Sequence, residues 1–423
     1  MVRRKKAKGV PRLCLHENQK LLSRVIDRLR ATLSSNGSLS KPCSKFIYSL
    51  FITWLGLPVR YNFLNLSRFG NYSEKNIRLH FEQNEFDFAH FNQQLIQSSC
   101  GKHLIAAFDP SFISKSGKQT FGVDYFWDGC QQRTQKGLEV GCLAIVDVDA
   151  RTAFPLSVRQ TPLHEQSKEQ GGLMKHYSCC ITDHIKQLKS MSVNYLAVDG
   201  YFMKTDFIHT MLKSGLQVIT RLRSDANLQY IFKGEQKSGR GRKKKYDGKV
   251  DCSNIDKRRL RLFAEDKDTE SFSGIVYSVS LKREVRIIYI QQKKSKDYVI
   301  MMSTDCQQSP QQIEQYYRLR FQIEFLIRDA KSHAGFDHCQ GRSQAKLNFH
   351  FNMSFSSVGL VKAATWMNLK NRNQHPFSMA TAKTLFHNKL ITDSIFSNLA
   401  LDMSCRKIKR IYRQCINFGA RAA

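Results

Sequence analysis

The chain has 423 residues, of which 67 are Lys or Arg and 35 are Asp or Glu, so its formal net charge is +32. Apolar residues make up 41% and aromatic residues 11%, which excludes a disordered polycation and allows roughly two to four folded domains. Because this excess of positive charge repels itself unless a polyanion neutralises it, we expect a nucleic acid partner first and an anionic membrane surface second.

The sequence argues against a membrane or secreted protein. The uncharged stretch over residues 46–59 is shorter than the ~20 residues of a spanning helix and contains Gly56 and Pro58. The basic N-terminus has no apolar segment behind it, so no secretory signal is predicted. The 12 Cys are scattered without paired zinc-site spacing, and we expect reduced thiols in a cytoplasmic protein.

Residues 1–98 are predicted to be helical. Apolar residues recur every three or four positions, with basic residues between them, over residues 18–33, 44–55 and 74–83. The pattern fits a plain helical bundle, and the charge favours a small DNA-binding domain, although no helix-turn-helix signature is visible.

Residues 99–223 and 298–365 predict a mixed α/β sheet. The first apolar strand, residues 103–108, ends at Asp109-Pro110, where we expect the proline to stop it. Further strands are predicted over residues 138–148, 152–158, 194–198, 217–222 and 298–303, and helices over 168–191 and 204–213. Ser309 is a predicted N-cap with Pro310 as the first residue of one long helix that runs to about Ser332.

Residues 224–297 interrupt this core with a β-rich basic insertion. Between Lys233 and Arg261 there are 12 basic and 4 acidic residues, a net of +8. A charge run is usually a solvated surface, but this excess favours contact with phosphates. The basic loop that we expect to bind DNA contains Arg240, Arg242, Lys243, Lys244 and Lys245. Residues 366–423 predict a helical, basic C-terminal region.

Three carboxylates stand out by their positions. Asp109 and Asp199 follow buried strands, and Glu324 lies in the middle of the predicted long helix. Strand ends and a covering helix can bring three such side chains to one edge of a sheet, where hard oxygen ligands suit Mg²⁺. Asp124 and Asp128 are weaker candidates in an irregular segment, and Asp147 is expected to face solvent or a turn.

The same helix carries a second pattern around Glu324. Tyr317, Arg320, Glu324 and Lys331 project within an arc of about 60° on one helical face. An ordinary surface ion pair would explain Glu324 and Arg320 alone. Because the two strand-end aspartates precede this helix, we favour a site at which Glu324 holds metal and the two cations contact phosphates.

These four residues and their spacing resemble the YREK signature of DDE transposases in the insertion-sequence-four family of bacterial mobile elements. The resemblance covers roughly residues 100–365 and implies a ribonuclease H-like core in which Asp109, Asp199 and Glu324 bind two Mg²⁺ ions, which Mn²⁺ can replace. It further implies that Tyr317, Arg320 and Lys331 contact DNA at the transposon end. If a displaced base is stacked in the insertion, the candidates are Tyr230, Phe232, Tyr246 and Phe263.

The resemblance implies cleavage of double-stranded DNA at terminal inverted repeats and strand transfer into target DNA, by a homodimer that joins two ends at the bacterial nucleoid. Two alternatives stay open from the sequence. One is a nuclease on the same fold that cuts without joining strands. The other is a non-catalytic DNA-binding protein derived from a transposase.

Overall fold

The computed structural model describes residues 12–35, 39–83, 85–169, 171–236, 239, 241–295, 297–366 and 377–420. Its N-terminal part is helical, as predicted. The five helices are α1 (Arg12–Ser35), α2 (Lys41–Gly56), α3 (Phe63–Phe69), α4 (Glu74–Gln83) and α5 (Phe88–Ser99). The side-chain caps include Ser40, which accepts a hydrogen bond from the Cys43 amide, and Asp87, which accepts one from the His90 amide.

The central architecture is one mixed sheet of 12 strands. Its first six strands are β1 (Leu104–Ser114), β2 (Asp124–Asp128), β3 (Arg133–Asp147), β4 (Thr152–Gln160), β5 (Tyr195–Val198) and β6 (Gln217–Leu222). β1, β5 and β6 run parallel, whereas β3 is antiparallel to β1, β2 and β4. The predicted mixed α/β class is confirmed.

The first strand is longer than predicted. β1 continues through Pro110 to Ser114 and pairs with β3 along its whole length. Its other neighbour, β5, pairs with it only at Ala106 and Ala107. Beyond that point β1 has a free edge, where a residue without an amide hydrogen is tolerated. The expectation that Pro110 ends the strand was therefore wrong.

The predicted insertion continues the main sheet. Its strands are β7 (Leu228–Ile231), β8 (Tyr246–Lys249), β9 (Arg261–Glu265), β10 (Thr269–Ser278) and β11 (Arg283–Gln292), followed by β12 (Tyr298–Ser303). β11 pairs with β12, which in turn pairs with β6. The order is β2-β3-β1-β5-β6-β12-β11-β10-β7-β8, with β4 on β3 and β9 on β10.

Two predicted helices are divided. The segment over 168–191 forms α6 (His164–Glu169), α7 (Leu173–Thr182) and α8 (Ile185–Ser190), because Gly171 and Gly172 take φ of 94° and 93° between the first two. α9 (Thr205–Lys213) follows as predicted.

The long helix over 310–332 is instead α10 (Pro310–Leu319) and α11 (Gln322–Ala334). Around the junction the amides of Phe321 and Glu324 bond to carbonyls three residues back, which tightens the turn. Glu324 consequently lies in the first turn of α11 and not in the middle of one helix. The cap at Ser309 is confirmed, since its hydroxyl accepts from the Gln312 amide at 3.3 Å.

A buried helix joins the N-terminal helices to the sheet. α12 (Gln344–Thr365) packs against α1, α4 and α5 on one side and against β4 on the other. Sixteen of its residues are buried, and the N-terminal and sheet residues belong to one continuous apolar core. The chain ends in α13 (Met379–Asn398) and α14 (Arg406–Ile416). Within the residues described, no helix is long and apolar enough to cross a membrane.

The C-terminal end of α11 is fixed by side chains from α12 and the N-terminal region. Tyr61 and Trp54 donate hydrogen bonds to the carbonyls of His333 and Ala334 at 2.9 and 3.0 Å. Burial lowers the pKa of His350 to about 3, so its neutral ring donates to the Gly335 carbonyl at 2.7 Å. These contacts fix the helix that carries Glu324.

Gly335 ends α11 with φ +67°, and a Cβ atom there would lie 2.2 Å from the Tyr61 ring. We expect Gly335→Ala to lower the free energy of unfolding by at least about 2 kcal/mol, because it adds backbone strain to a steric clash. Thermal unfolding followed by circular dichroism measures the change. Gly129→Ala is the matched control, since no atom lies within 4 Å of its added methyl group. Equal stability of the two variants would contradict this account.

Candidate active site

The three predicted carboxylates line one cavity of about 980 Å³. Asp109 comes from β1, Asp199 from the end of β5, and Glu324 from α11. Lys331, two turns further along α11, lines the same cavity. The structure therefore brings together four residues, the first and last of which, Asp109 and Lys331, are more than 200 positions apart in the sequence.

The parallel register of β1 and β5 explains why the two aspartates meet. Ala107 of β1 pairs with Ala197 of β5, and each alanine stands two residues before its aspartate. The two aspartates therefore lie level with each other as the strands leave the core. Asp199 also begins a short 3₁₀ helix, and its carbonyl accepts a hydrogen bond from the Thr220 hydroxyl at 3.0 Å.

The electrostatics of the cavity centre on Asp109. Burial, together with the negative charges of Glu324, Asp199 and Glu139, raises the pKa of Asp109 to about 7. Arg320 is the cation that opposes this rise. A buried carboxyl with three acidic neighbours and one cation is a site in which further positive charge is favourable.

The remaining residues of the four-residue pattern lie around Glu324. Arg320 forms an ion pair with Glu324 at 3.2 Å, with its side chain only 14% exposed. Its guanidinium also lies 5.8 Å from the centre of the Tyr317 ring, and burial raises the pKa of Tyr317. Lys331 donates a hydrogen bond to the Phe112 carbonyl at 2.9 Å. Thus Arg320 is positioned against Glu324, while Lys331 crosses to β1.

None of the described residues of the insertion's basic loop lines this cavity. Arg242, Lys243 and Lys245 are exposed, whereas Lys244 is paired with Asp247 at 2.7 Å. Arg240, which we expect to belong to the same DNA-binding loop, lies outside the described residues. The loop connects the region of β7 to β8, near the far end of the sheet.

Sequence reasoning missed Glu139, which also lines the cavity. Glu139 is buried in β3 and accepts hydrogen bonds from the Tyr177 hydroxyl at 2.6 Å and the Thr161 hydroxyl at 2.8 Å. Burial raises the pKa of this carboxyl, and the two donors oppose the rise. The position of Glu139 inside the apolar run 138–148 was the available signal, because an ionisable group within a buried strand requires a partner or a function.

The structure also shows where three other aspartates considered in the sequence lie and what they contact. Asp124 forms an ion pair with His164 at 2.9 Å, and Asp128 lines the cavity at the end of β2. Their segment, expected to be irregular, is thus an ordered strand. Asp147, expected to face solvent or a turn, is buried and accepts hydrogen bonds from the amides of Gly101, Asp149 and Ala150.

The donor set fits a hard divalent cation by its chemistry. Asp109, Asp199 and Glu324 offer carboxylate oxygens, and the raised pKa of Asp109 reflects burial and like charges that a cation would offset. Among the residues that the structure describes, no group of three His, Cys, Asp or Glu side chains is already close enough to enclose an ion.

The cavity thus combines several carboxylates with a lysine, at the ends of two parallel strands of a mixed sheet. Residues 101–358 match the family model described as "Transposase DDE domain". This match spans more than half of the chain, which therefore belongs to the transposase DDE-domain family. Membership means a transposase-type polynucleotidyl transferase, which binds, cleaves and transfers DNA; such enzymes generally use divalent metals. No curated protein matches the chain.

The hydrogen bond between Tyr177 and Glu139 provides a test of the cavity wall. We expect Tyr177→Phe to destabilise the protein by roughly 1–3 kcal/mol, because it leaves a buried carboxyl short of one donor. Thermal unfolding measures the loss. Tyr125→Phe is the control, since Tyr125 lines the same cavity with its side chain exposed to solvent. A Tyr177→Phe protein as stable as the control would show that Glu139 does not depend on this donor.

Proposed function

We propose that this chain is a transposase of the YREK group of the insertion-sequence-four family, and that Asp109, Asp199 and Glu324 are its catalytic carboxylates. The observation that carries the proposal is the convergence of these three side chains on one cavity that Lys331 also lines. The spacing of Tyr317, Arg320, Glu324 and Lys331 supports the assignment to this group.

The strand order supports a ribonuclease H-like core. Three antiparallel strands, β4, β3 and β1, are followed by the parallel strands β5 and β6, and the Glu-bearing helix α11 packs on β1. In such a core the insertion between β6 and β12 separates the second aspartate from the glutamate in sequence while leaving both at one site.

The chain's own residues supply position and charge for phosphoryl transfer. Asp109, Asp199 and Glu324 would hold Mg²⁺ or Mn²⁺, up to two ions, which when bound polarise the phosphate and stabilise the charge that develops on its oxygens. Lys331 and Arg320 bind the flanking phosphates of the DNA strand. No Ser, Cys or His nucleophile is required for this chemistry.

The overall charge supports a long DNA interface. The N-terminal helices, the basic loop of the insertion and α14 add positive charge outside the cavity, and duplex DNA bearing the terminal inverted repeats is the proposed ligand. A homodimer is proposed because strand transfer must act on two element ends. Target DNA is then the acceptor of the freed 3′-hydroxyl.

Removal of any one carboxylate tests the catalytic assignment. We expect Asp109→Ala, Asp199→Ala and Glu324→Ala each to lower the rate of strand cleavage by at least about 10³-fold, because positioned charge supplies most of the catalysis. The substrate is a duplex carrying the inverted repeat that brackets the gene, incubated with Mn²⁺ and resolved on denaturing gels. Binding of the same duplex, measured by gel shift, should change little.

Glu314→Ala is the matched control for Glu324→Ala. Glu314 pairs with Arg318 at the same i,i+4 spacing one helix earlier, but it does not line the cavity. Its removal should leave cleavage unchanged. Cleavage that persists in all three cavity variants would refute the assignment.

A strand-joining assay separates a transposase from a nuclease on the same fold. We expect the wild-type protein with pre-cleaved ends and supercoiled plasmid to give covalently joined products, since a free 3′-hydroxyl can take the place of water as the attacking group. Cleavage without joined products would favour the nuclease. DNA binding with neither reaction would favour the non-catalytic alternative.

A further inference from the structure

Three large aromatic side chains of the acidic cavity are open to solvent. Tyr125 is 61% exposed, Trp127 57% and Tyr201 51%, although all three line the same cavity as the carboxylates. Aromatic rings of this size are normally at least half buried, because their exposure to water is unfavourable. Their exposure beside a proposed catalytic site suggests that a ligand covers them.

Two of these rings lie on the edge strand β2, along which side chains alternate between the two faces of the sheet. Phe126 points inward, where it packs 5.2 Å from the His164 ring, so Tyr125 and Trp127 share the outer face. The register places Tyr125 opposite Lys136 and Trp127 opposite Thr134 on β3. Cross-strand partners lie on the same face, so the exposed Lys136 adds a cation beside the two rings.

The strand is also held in place. Asp124, at its start, accepts hydrogen bonds from both the amide and the ring of His164 at 2.9 Å. Tyr201 approaches the same cavity from the 3₁₀ helix that follows Asp199, and its ring lies 5.5 Å from that of Phe202. The three rings are thus carried by anchored segments that line the same cavity as the carboxylates.

Three of the four aromatic candidates in the insertion already contact a cation or another ring. Arg259 lies 4.8 Å from the ring centre of Tyr230, and Lys244 lies 4.7 Å from that of Phe232. Tyr246 packs on Tyr277 with ring centres 4.6 Å apart. Of the four stacking candidates from the sequence, Phe263 alone has no ring or cation contact of this kind among the described residues.

We propose that Tyr125, Trp127 and Tyr201 form a stacking surface for unpaired nucleobases of the DNA strand at the carboxylates. This inference rests on the proposed function and adds the form of its substrate: DNA that is locally single-stranded at the point of reaction. Stacking on aromatic faces is tolerant of sequence, and a neighbouring cation such as Lys136 binds the backbone phosphate.

The distribution of tryptophan allows a direct test. The chain has three Trp, and Trp54 and Trp366 are 0% and 7% exposed, so Trp127 is the solvent-accessible fluorophore. We expect a short oligothymidylate, added with EDTA present, to quench tryptophan emission and to protect it from iodide. A fully paired duplex of the same length should do so much less, because its bases are not free to stack.

Affinity measured by anisotropy of a fluorescein-labelled oligothymidylate tests the same surface. We expect Trp127→Ala to weaken binding at least about fivefold and Trp127→Phe, which keeps a ring, to restore most of it. Phe418→Ala is the matched control, since Phe418 is an exposed aromatic residue outside the cavity. Thermal unfolding checks that all variants are folded. Unchanged Trp emission, or wild-type affinity of Trp127→Ala, would overturn the proposal.

The two proposals fail separately. The oligothymidylate assays need neither metal nor cleavage, so quenching and ring-dependent affinity in a protein without cleavage activity would leave the stacking surface in place and remove the proposed reaction. Cleavage by the wild-type protein together with unaltered oligothymidylate binding by Trp127→Ala would remove the stacking surface alone.

Discussion

The candidate active site depends on the parallel pairing of β1 with β5. That pairing spans only two residue pairs, yet it aligns Asp109 with Asp199 at the point where both strands leave the core. Side-chain direction alternates along a strand, so a shift of one residue in either strand would turn one carboxylate to the opposite face of the sheet. The short pairing is protected by its neighbours, since β3 flanks β1 over eleven pairs and β6 flanks β5 over four.

Several carboxylates in one cavity repel each other and destabilise the folded protein, and the structure offsets this repulsion in two ways. Arg320 forms an ion pair with Glu324 and opposes the rise in the pKa of Asp109. Glu139 accepts hydrogen bonds from the hydroxyls of Tyr177 and Thr161. The N-terminal helices contribute indirectly, because Trp54 and Tyr61 hold the distal end of α11. They therefore help to position Glu324 even though they lie far from it in sequence.

Much of this site could be predicted from the sequence, for definable reasons. Asp109 and Asp199 were found because each follows an apolar run, and Glu324 because its helix carries a spaced set of charged residues. The extension of β1 past Pro110 was missed, since it depends on which strands flank that edge. The break near Arg320 and the partners of Glu139 were missed because both depend on tertiary contacts that periodicity does not encode.

The width of the sheet sets the distance between the cavity and the basic loop that precedes β8. β2 lies beside the end of β1, since Asp124 and Ser114 both pair with Gly137, whereas β7 is six strands from β1, or roughly 30 Å at the usual strand spacing. Tyr125 and Trp127 line the same cavity as the carboxylates, whereas none of the described residues of the loop that precedes β8 lines it. A duplex advances about 34 Å in one turn, so DNA that reaches both the cavity and this loop must cover close to one helical turn. The two surfaces thus suit different parts of one bound DNA: the aromatic face a distorted end, and the basic loop the regular duplex behind it.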